Sequence, residues 1–328
     1  MVESTPACSP TRGYNVTAHS DVLSQAAAVA RRHGVAPDDV EEVAGGVANQ
    51  AFVLGECLFL RIARPGYESN LSREVHVVPA ARSVGVRTPP VVDYDTTDAL
   101  IGAPYIVTER IHGTEPTDIP ADLAEQLALL HQLQLKPSAA SDYTAADLAA
   151  LGAPPVDDWG DPWRTIDDLA DRGYVDLATA DWLTAWFHRL ADRFDRGRPK
   201  VLIHGDVAAH NLLVNSDGEL EALIDWGDTA WAPRAMDFAK LPLTQVARLL
   251  PDYIRHAKSP EIPLGSAGES ETELAAATLW FHLSWALARL PAPPWPDQRH
   301  WTAPTASRLL NIVHFFTTNP PPPWSTLT

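Results

Sequence analysis

Val201-Leu202-Ile203-His204-Gly205-Asp206-Val207-Ala208-Ala209-His210-Asn211-Leu212-Leu213-Val214-Asn215, answered by Leu220-Glu221-Ala222-Leu223-Ile224-Asp225-Trp226-Gly227-Asp228, is the stretch of this 328-residue chain from which the rest is read. Its short apolar runs predict three strands, Val201 to Ile203, Leu212 to Asn215 and Leu220 to Trp226, with loops between them. The polar residues sit on those loops. Asp206 places a carboxylate after the first strand, where it can orient and deprotonate an acceptor. Asn211 offers an amide oxygen at the start of the second strand. Asp225, at the end of the third, is a hard oxygen ligand of the kind Mg²⁺ prefers. The three fall on adjacent loop tips of one small sheet, which is the arrangement of a site.

Upstream, the pattern divides in two. Residues 1–18 are polar with scattered Pro and Gly and are expected to form a poorly ordered extension. Ser20 to His33 reads as a helix capped by Ser20 and stopped by Gly34. Five β-type runs follow, Val40 to Ala44, Ala51 to Leu54, Cys57 to Ile62, Val91 to Tyr94 and Tyr105 to Arg110, with a helix from about Leu71 to Val84 inserted between the third and fourth. This predicts a small α+β lobe over 19–112. Pro116 and Pro120 open a mostly helical lobe over 113–328. Apolar residues recur there at helical spacing over Ala121 to Leu135, Thr179 to Phe194, Ala235 to Leu249, Glu271 to Leu290 and Ala303 to Phe316. The run Asn319-Pro320-Pro321-Pro322-Pro323-Trp324 reads as a polyproline strap or a loose tail.

Composition bounds the partners. With 45% hydrophobic and 20% charged residues the chain is an ordinary folded protein, and its length calls for a bilobal unit or two domains. The net charge of −17 argues against nucleic acid, whose phosphates it would repel, and favours neutral or cationic partners. Residues 1–113 hold nine basic and 13 acidic residues, a balance of −4, which leaves −13 for the remainder. No leader or membrane-spanning run is evident, so a cytoplasmic protein is expected. Cys8 and Cys57 offer neither a disulfide framework nor metal-ligand spacing.

The spacing from Asp206 to Asn211, preceded by His-Gly and followed after a hairpin by Ile-Asp, resembles the catalytic loop and metal-binding segment of the protein-kinase-like superfamily. With Gly205 between His204 and Asp206, and Ile224-Asp225-Trp226-Gly227-Asp228 downstream, it is most similar to the aminoglycoside phosphotransferase family. The resemblance implies an α+β, bilobal protein-kinase-like fold, with a small N-lobe built on an antiparallel sheet plus helix and a large, mostly helical C-lobe. It implies an enzyme that moves the γ-phosphate of ATP or GTP, with Mg²⁺, onto a hydroxyl of a small molecule. Asp206 would be the catalytic base, and Asn211 and Asp225 would hold the metal. Ala44 to Phe52 looks like the phosphate loop, through Gly45, Gly46 and Asn49, although Gly-Gly alone is also a common turn. Arg61 stands where kinases carry a lysine touching the phosphates, with Arg64 as an alternative, and Glu74 resembles the helix glutamate that holds that cation. Glu109 to Ile111 match the hinge whose main chain meets the purine edge. His204 and His131 are read as structural, Asp237 as a hydrogen-bond partner of the loops.

The acceptor is less defined. Asp157, Asp158 and Asp161, near Trp159 and Trp163, lie where the resemblance implies a substrate-binding insertion. They read either as ligands for ammonium groups between flat apolar walls or as a solvated acidic helix. Asp228 and His210 are further candidates for substrate contact. Glu269, Glu271 and Glu273 make a second acidic cluster. A cationic antibiotic of aminoglycoside or basic cyclic peptide type is favoured. The alternatives are a macrolide, a small metabolite such as an amino alcohol, sugar or homoserine, and a non-catalytic binding module supported by Arg61 in place of lysine.

Overall fold

The computed structural model describes residues 16–44, 46–97, 99–133, 159–258, 269–293 and 304–328. It divides into two compact units, Met1–Tyr67 with Val92–Arg110, and Glu68–Val91 with Ile111–Thr328.

In the first unit, helix α1 (Val16–Arg32) is followed by β1 (Val40–Val43), β2 (Asn49–Leu54) and β3 (Leu58–Ala63). Strands β4 (Val91–Asp95) and β5 (Tyr105–Glu109) complete an antiparallel sheet in the order β1-β2-β3-β5-β4. The period of two explains the choice of these segments. Phe52 opposes Leu60, and Leu54 opposes Leu58. Phe52, Leu54, Leu60, Ile62, Tyr105 and Val107 are buried together with Ala26, Val29 and Ala30 of α1. Each large side chain of this layer contributes on the order of 2 kcal/mol by leaving water. Arg61, between Leu60 and Ile62, therefore points to the opposite face of the sheet. The five expected strands are present. The first helix starts at Val16 rather than at Ser20, which lies inside it.

The second unit begins with α2 (Glu68–Ser83), which the sequence reading assigns to the first lobe. The reason for its allegiance is local. Arg73 on α2 donates to the Gly227 carbonyl. Just past the helix, the Leu223 amide donates to the Arg87 carbonyl at 2.9 Å, and the Trp226 indole donates to Thr88 Oγ1 at 2.9 Å. Helices α3 (Leu123–Leu130), α4 (Pro162–Asp171), α5 (Leu177–Ala191), α6 (Leu243–Ala257), α7 (Glu271–Arg289) and α8 (Ser307–Thr317) make up most of the rest. Helix α7 is buried along most of its length, from Leu274 to Leu287, and with Trp186, Phe187 and Trp324 it centres the core. The C-terminal residues are a strap: Trp324 is fully buried, and the Trp186 indole donates to the Leu327 carbonyl at 2.5 Å.

One expected helix is broken in two. The helix foreseen over Ala235 to Leu249 is a 3-10 turn, Arg234–Phe238, followed by α6 from Leu243, because Pro242 cannot continue a helix and instead opens the next. The acidic stretch contains α4, the helix that is one of the two readings of its sequence, and Asp161 caps it, accepting the Arg164 amide at 3.0 Å.

Four short strands remain, and they position the site. β6 (Val201–Ile203) pairs with β9 (Ala230–Ala232), and β7 (Leu212–Val214) pairs with β8 (Leu220–Leu223), both antiparallel. The inner hairpin is nested within the outer pair, so the chain passes from outer to inner strand and back through two loops, 204–211 and 224–229, at the same end. Among the described residues no helix is long and apolar enough to cross a membrane.

Candidate active site

The loop after β6 is held by two buried groups. Asp237, fully buried, accepts the His204 amide at 2.9 Å and the Gly205 amide at 2.7 Å, and takes His131 Nε2 at 3.0 Å. His204 joins the two loops. Its Nε2 donates to the Ile224 carbonyl at 3.0 Å, and its Nδ1 accepts the Asp206 amide at 3.2 Å. A second ring proton would face an N–H, so the ring is neutral, and burial accordingly lowers its pKa against the pull of Asp237, Asp206 and Asp225. His204 and His131 are thus structural, as expected, and Asp237 is their common anchor.

Gly205 has φ +84°, and a Cβ there would collide with the main-chain carbonyl of Asp228. The glycine lets the two loops touch. On the other side, Asp225 has φ +65°, a left-handed conformation that aspartate tolerates better than most side chains but glycine better still.

Asp206 and Asn211 converge. The Asn211 amide nitrogen donates to the Asp206 carbonyl at 2.8 Å and to its Oδ2 at 2.9 Å. Asn211 is 3% exposed, and its main-chain carbonyl accepts the Ile224 amide at 3.0 Å, which sets it beside Asp225. With its nitrogen committed to Asp206, the Asn211 amide oxygen is the atom turned elsewhere. His210 Nε2 lies 3.7 Å from Asp206 Oδ2. Sequence reasoning missed Lys240, whose ammonium meets Asp206 Oδ1 at 2.5 Å. No local signal connects residues so far apart in the chain.

Partial burial works to raise the Asp206 pKa, but the nearby His210 ring and the charge and hydrogen bond of Lys240 outweigh it and hold the carboxyl well below the usual carboxylate range. Asp228, whose side chain reaches the surface, is moved the other way by desolvation and by the charges of Asp206 and Asp225, against the pull of Lys240. The arrangement presents an ionised carboxylate, an amide oxygen and a second carboxylate from two adjoining loops. Among the described residues no three His, Cys, Asp or Glu side chains gather as a metal cluster.

The other candidates are distributed as follows. Gly46 and Asn49 flank the turn into β2, where a Cβ on Gly46 would strike the Asn49 carbonyl. Arg61 stands on β3, Glu109 ends β5, and the Arg110 amide is paired with the Cys57 carbonyl at 2.8 Å. Ile111 opens the second stretch of the second unit, and Glu74 is buried on α2 in that unit. Gly45, Asp157 and Asp158 lie outside the described residues. Trp159 and Trp163 are not exposed walls: Trp159 stacks on Phe194 and Phe281, and Trp163 meets Trp280 edge to face. Nor is the second acidic cluster free for a ligand. Glu269 lies against Arg198 and Arg234, and Glu273 closes a capping box with Ser270 while pairing with Arg198.

A model of the phosphotransferase enzyme family matches residues 39–269. The chain belongs to that family. Its expected fold and enzyme class, a phosphotransferase acting on an alcohol group, follow from this membership. No curated protein matches it by sequence. Among solved structures, this phosphotransferase is similar to APH(2")-IIia in complex with GDP and kanamycin, with 17% identity, a TM-score of 0.62 and coverage of 93% of this chain and 99% of that one. It is similar to a type I macrolide 2'-phosphotransferase, with 17% identity, a TM-score of 0.52 and coverage of 84% and 93%. A third is macrolide 2'-phosphotransferase MphH from Brachybacterium faecium, with 18% identity, a TM-score of 0.52 and coverage of 82% and 91%. At such identities the likeness is one of fold.

Proposed function

We propose that this phosphotransferase moves the γ-phosphate of ATP or GTP onto a hydroxyl of a small cationic antibiotic, of aminoglycoside or basic cyclic peptide type, and so inactivates it in the cytoplasm. The observation that carries the reading is the ionised Asp206, gripped at both oxygens and set beside Asn211 and Asp225 on two adjoining loops. In the transfer the acceptor oxygen bonds to the γ-phosphorus, the bridging bond to the β-phosphate breaks, and the acceptor proton passes to the Asp206 carboxylate. A carboxyl held this acidic is a weak base. Its main contribution is to orient the hydroxyl, which suits a loose phosphoryl transfer whose proton moves late.

Magnesium, when bound, would neutralise charge on the phosphate oxygens. Asn211 through Oδ1 and Asp225 through its carboxylate would hold it, both hard oxygen donors of the kind Mg²⁺ prefers. Gly45, Gly46 and Asn49 are assigned to the phosphates, Arg61 to pair with them, and Glu74 to hold that cation. The main chain from Glu109 to Ile111 is assigned to the base. The GDP and ADP held by related structures support a purine nucleotide.

For a cationic acceptor, support comes from the net charge of −17, from Asp228 and His210 beside Asp206, and from the exposed Asp161, Asp167, Asp168 and Asp171 on and before α4. Asp157 and Asp158 extend that run in the sequence. A macrolide is the second reading. It is favoured by the macrolide phosphotransferase neighbours and by the internal use of Trp159, Trp163, Glu269 and Glu273.

The decisive experiment incubates the protein with MgATP or MgGTP and a panel of aminoglycosides, basic peptides and macrolides, and follows the phosphate mass increment. Transfer to a basic member and not to macrolides is expected; the reverse pattern would move the assignment to macrolides. Asp206→Asn should lower turnover by about 10³-fold while nucleotide binding persists. Retained turnover in that variant would remove Asp206 as the proton acceptor.

A further inference from the structure

The segment following β9 reaches the site twice. Asp237 clamps the main chain of His204 and Gly205 from within, and three residues later Lys240 meets the Asp206 side chain from the partly open side, its own side chain 32% exposed. The residues flanking the lysine are immobilised. Ala239 and Leu241 are buried at 0% and 1%, and the Ala239 carbonyl accepts the Arg308 guanidinium. A lysine on so fixed a backbone is aimed rather than free-swinging.

An aspartate carboxylate turns readily about its last bond, because the rotor that ends in a planar group has broad wells. At Asp206 the rotation is stopped at both ends: the Lys240 ammonium sits on Oδ1 at 2.5 Å and the Asn211 amide on Oδ2 at 2.9 Å. Each oxygen has two lone pairs, so this grip still leaves room for a hydroxyl to donate. The titratable groups near the carboxylate are Lys240, His210, His204, Asp225 and Asp228. Lys240 is the only one of them that is a lysine or arginine. An exposed ion pair of this kind contributes little to stability on average, so its presence calls for another account.

We propose that Lys240 is a positioning residue of the transfer reaction, its ammonium fixing the Asp206 carboxylate in the plane that receives the acceptor hydroxyl. This rests on the reading of Asp206 as the group that receives the acceptor proton. Lys240 acts through Asp206, and its loss lowers the rate of the chemical step without weakening nucleotide or acceptor binding.

The test compares wild type, Lys240→Met, Lys240→Arg, Asp206→Asn and the double variant Asp206→Asn/Lys240→Met. Two reactions are followed: phosphate release from MgATP and MgGTP with water as acceptor, and transfer to kanamycin and to erythromycin. Lys240→Met is expected to lose about tenfold or more in kcat with KM changed less than about twofold, a fraction of what a general base supplies. Lys240→Arg is expected to recover most of that loss, since it restores a donor to Oδ1. The double variant should be no slower than Asp206→Asn alone, because the lysine has nothing left to position. Melting temperatures of all variants are recorded. The inference is overturned if Lys240→Met keeps its kcat, if its defect lies in KM, if its defect follows a loss of folded protein, or if the two losses multiply. An active Asp206→Asn variant would instead sink the underlying reading of the base, an outcome distinct from an active Lys240→Met beside an inactive Asp206→Asn.

Discussion

At Gly205 a single hydrogen atom decides whether the two site loops can meet. Any side chain would press on the Asp228 carbonyl, and the left-handed φ of +84° adds its own strain. Gly205→Ala should therefore cost about 1–3 kcal/mol in urea denaturation and move Asp206 enough to remove most of the transfer activity. Gly218, with φ +79° and open space around it, is the control: Gly218→Ala should cost only about 1 kcal/mol and leave turnover intact. Equal effects at the two positions would show that backbone conformation, and not the contact between loops, sets the requirement. The residues whose convergence was legible in the sequence are those joined by local spacing, namely Asp206, Asn211 and Asp225 with their glycines. Lys240 was not legible, because its partner lies on another loop and nothing in Ala239-Lys240-Leu241 distinguishes it from a surface lysine.

Among the elements, α7 depends on how it starts. Ser270 accepts the Glu273 amide at 3.2 Å, and Glu273 returns to the Ser270 amide at 2.7 Å, so the first turn of a nearly all-buried helix is closed by its own side chains. Ser270→Ala should cost about 1 kcal/mol, read as a lower denaturation midpoint at unchanged slope. Asp237→Ala should cost more, about 3–5 kcal/mol, because it strips a buried carboxylate from two loop amides and His131. A loss no larger than that of Ser270→Ala would mean that these amides find other partners. Elements with a long enough pattern could be read directly: the strands of the first unit through alternation, α7 through its length. The failures have physical causes. β9 is three residues long and carries no period. α2 follows its contacts with the second unit rather than its place between strands.

For the whole molecule, acid is the expected weakness. Burial and the neighbouring Arg308 lower the His282 pKa to about 3, and burial likewise depresses His131 and His204. His282 takes up its proton on unfolding at its ordinary pKa near 6.5 but not in the folded state, and the other two are shifted in the same direction. The contribution is absent above that pH, grows as the pH falls below it, and favours the unfolded chain. Between pH 7 and pH 5, His282 alone should remove about 2 kcal/mol of stability, measurable as a fall in the denaturation midpoint. His282→Gln should flatten that fall. An unchanged midpoint down to pH 5 would mean that His282 is protonated in the folded protein.

The left-handed backbone at Asp225 has a practical side. A carboxylate is retained there although glycine would suit the dihedral angles better, and although Asp206 and Asp228 stand near it with the same charge. The enzyme thus carries its tension at the point where it is assigned a metal to hold. Asp225→Gly should keep its fold, read as an unchanged circular dichroism spectrum, and transfer nothing. Such a variant would be the natural vehicle for trapping nucleotide and acceptor side by side.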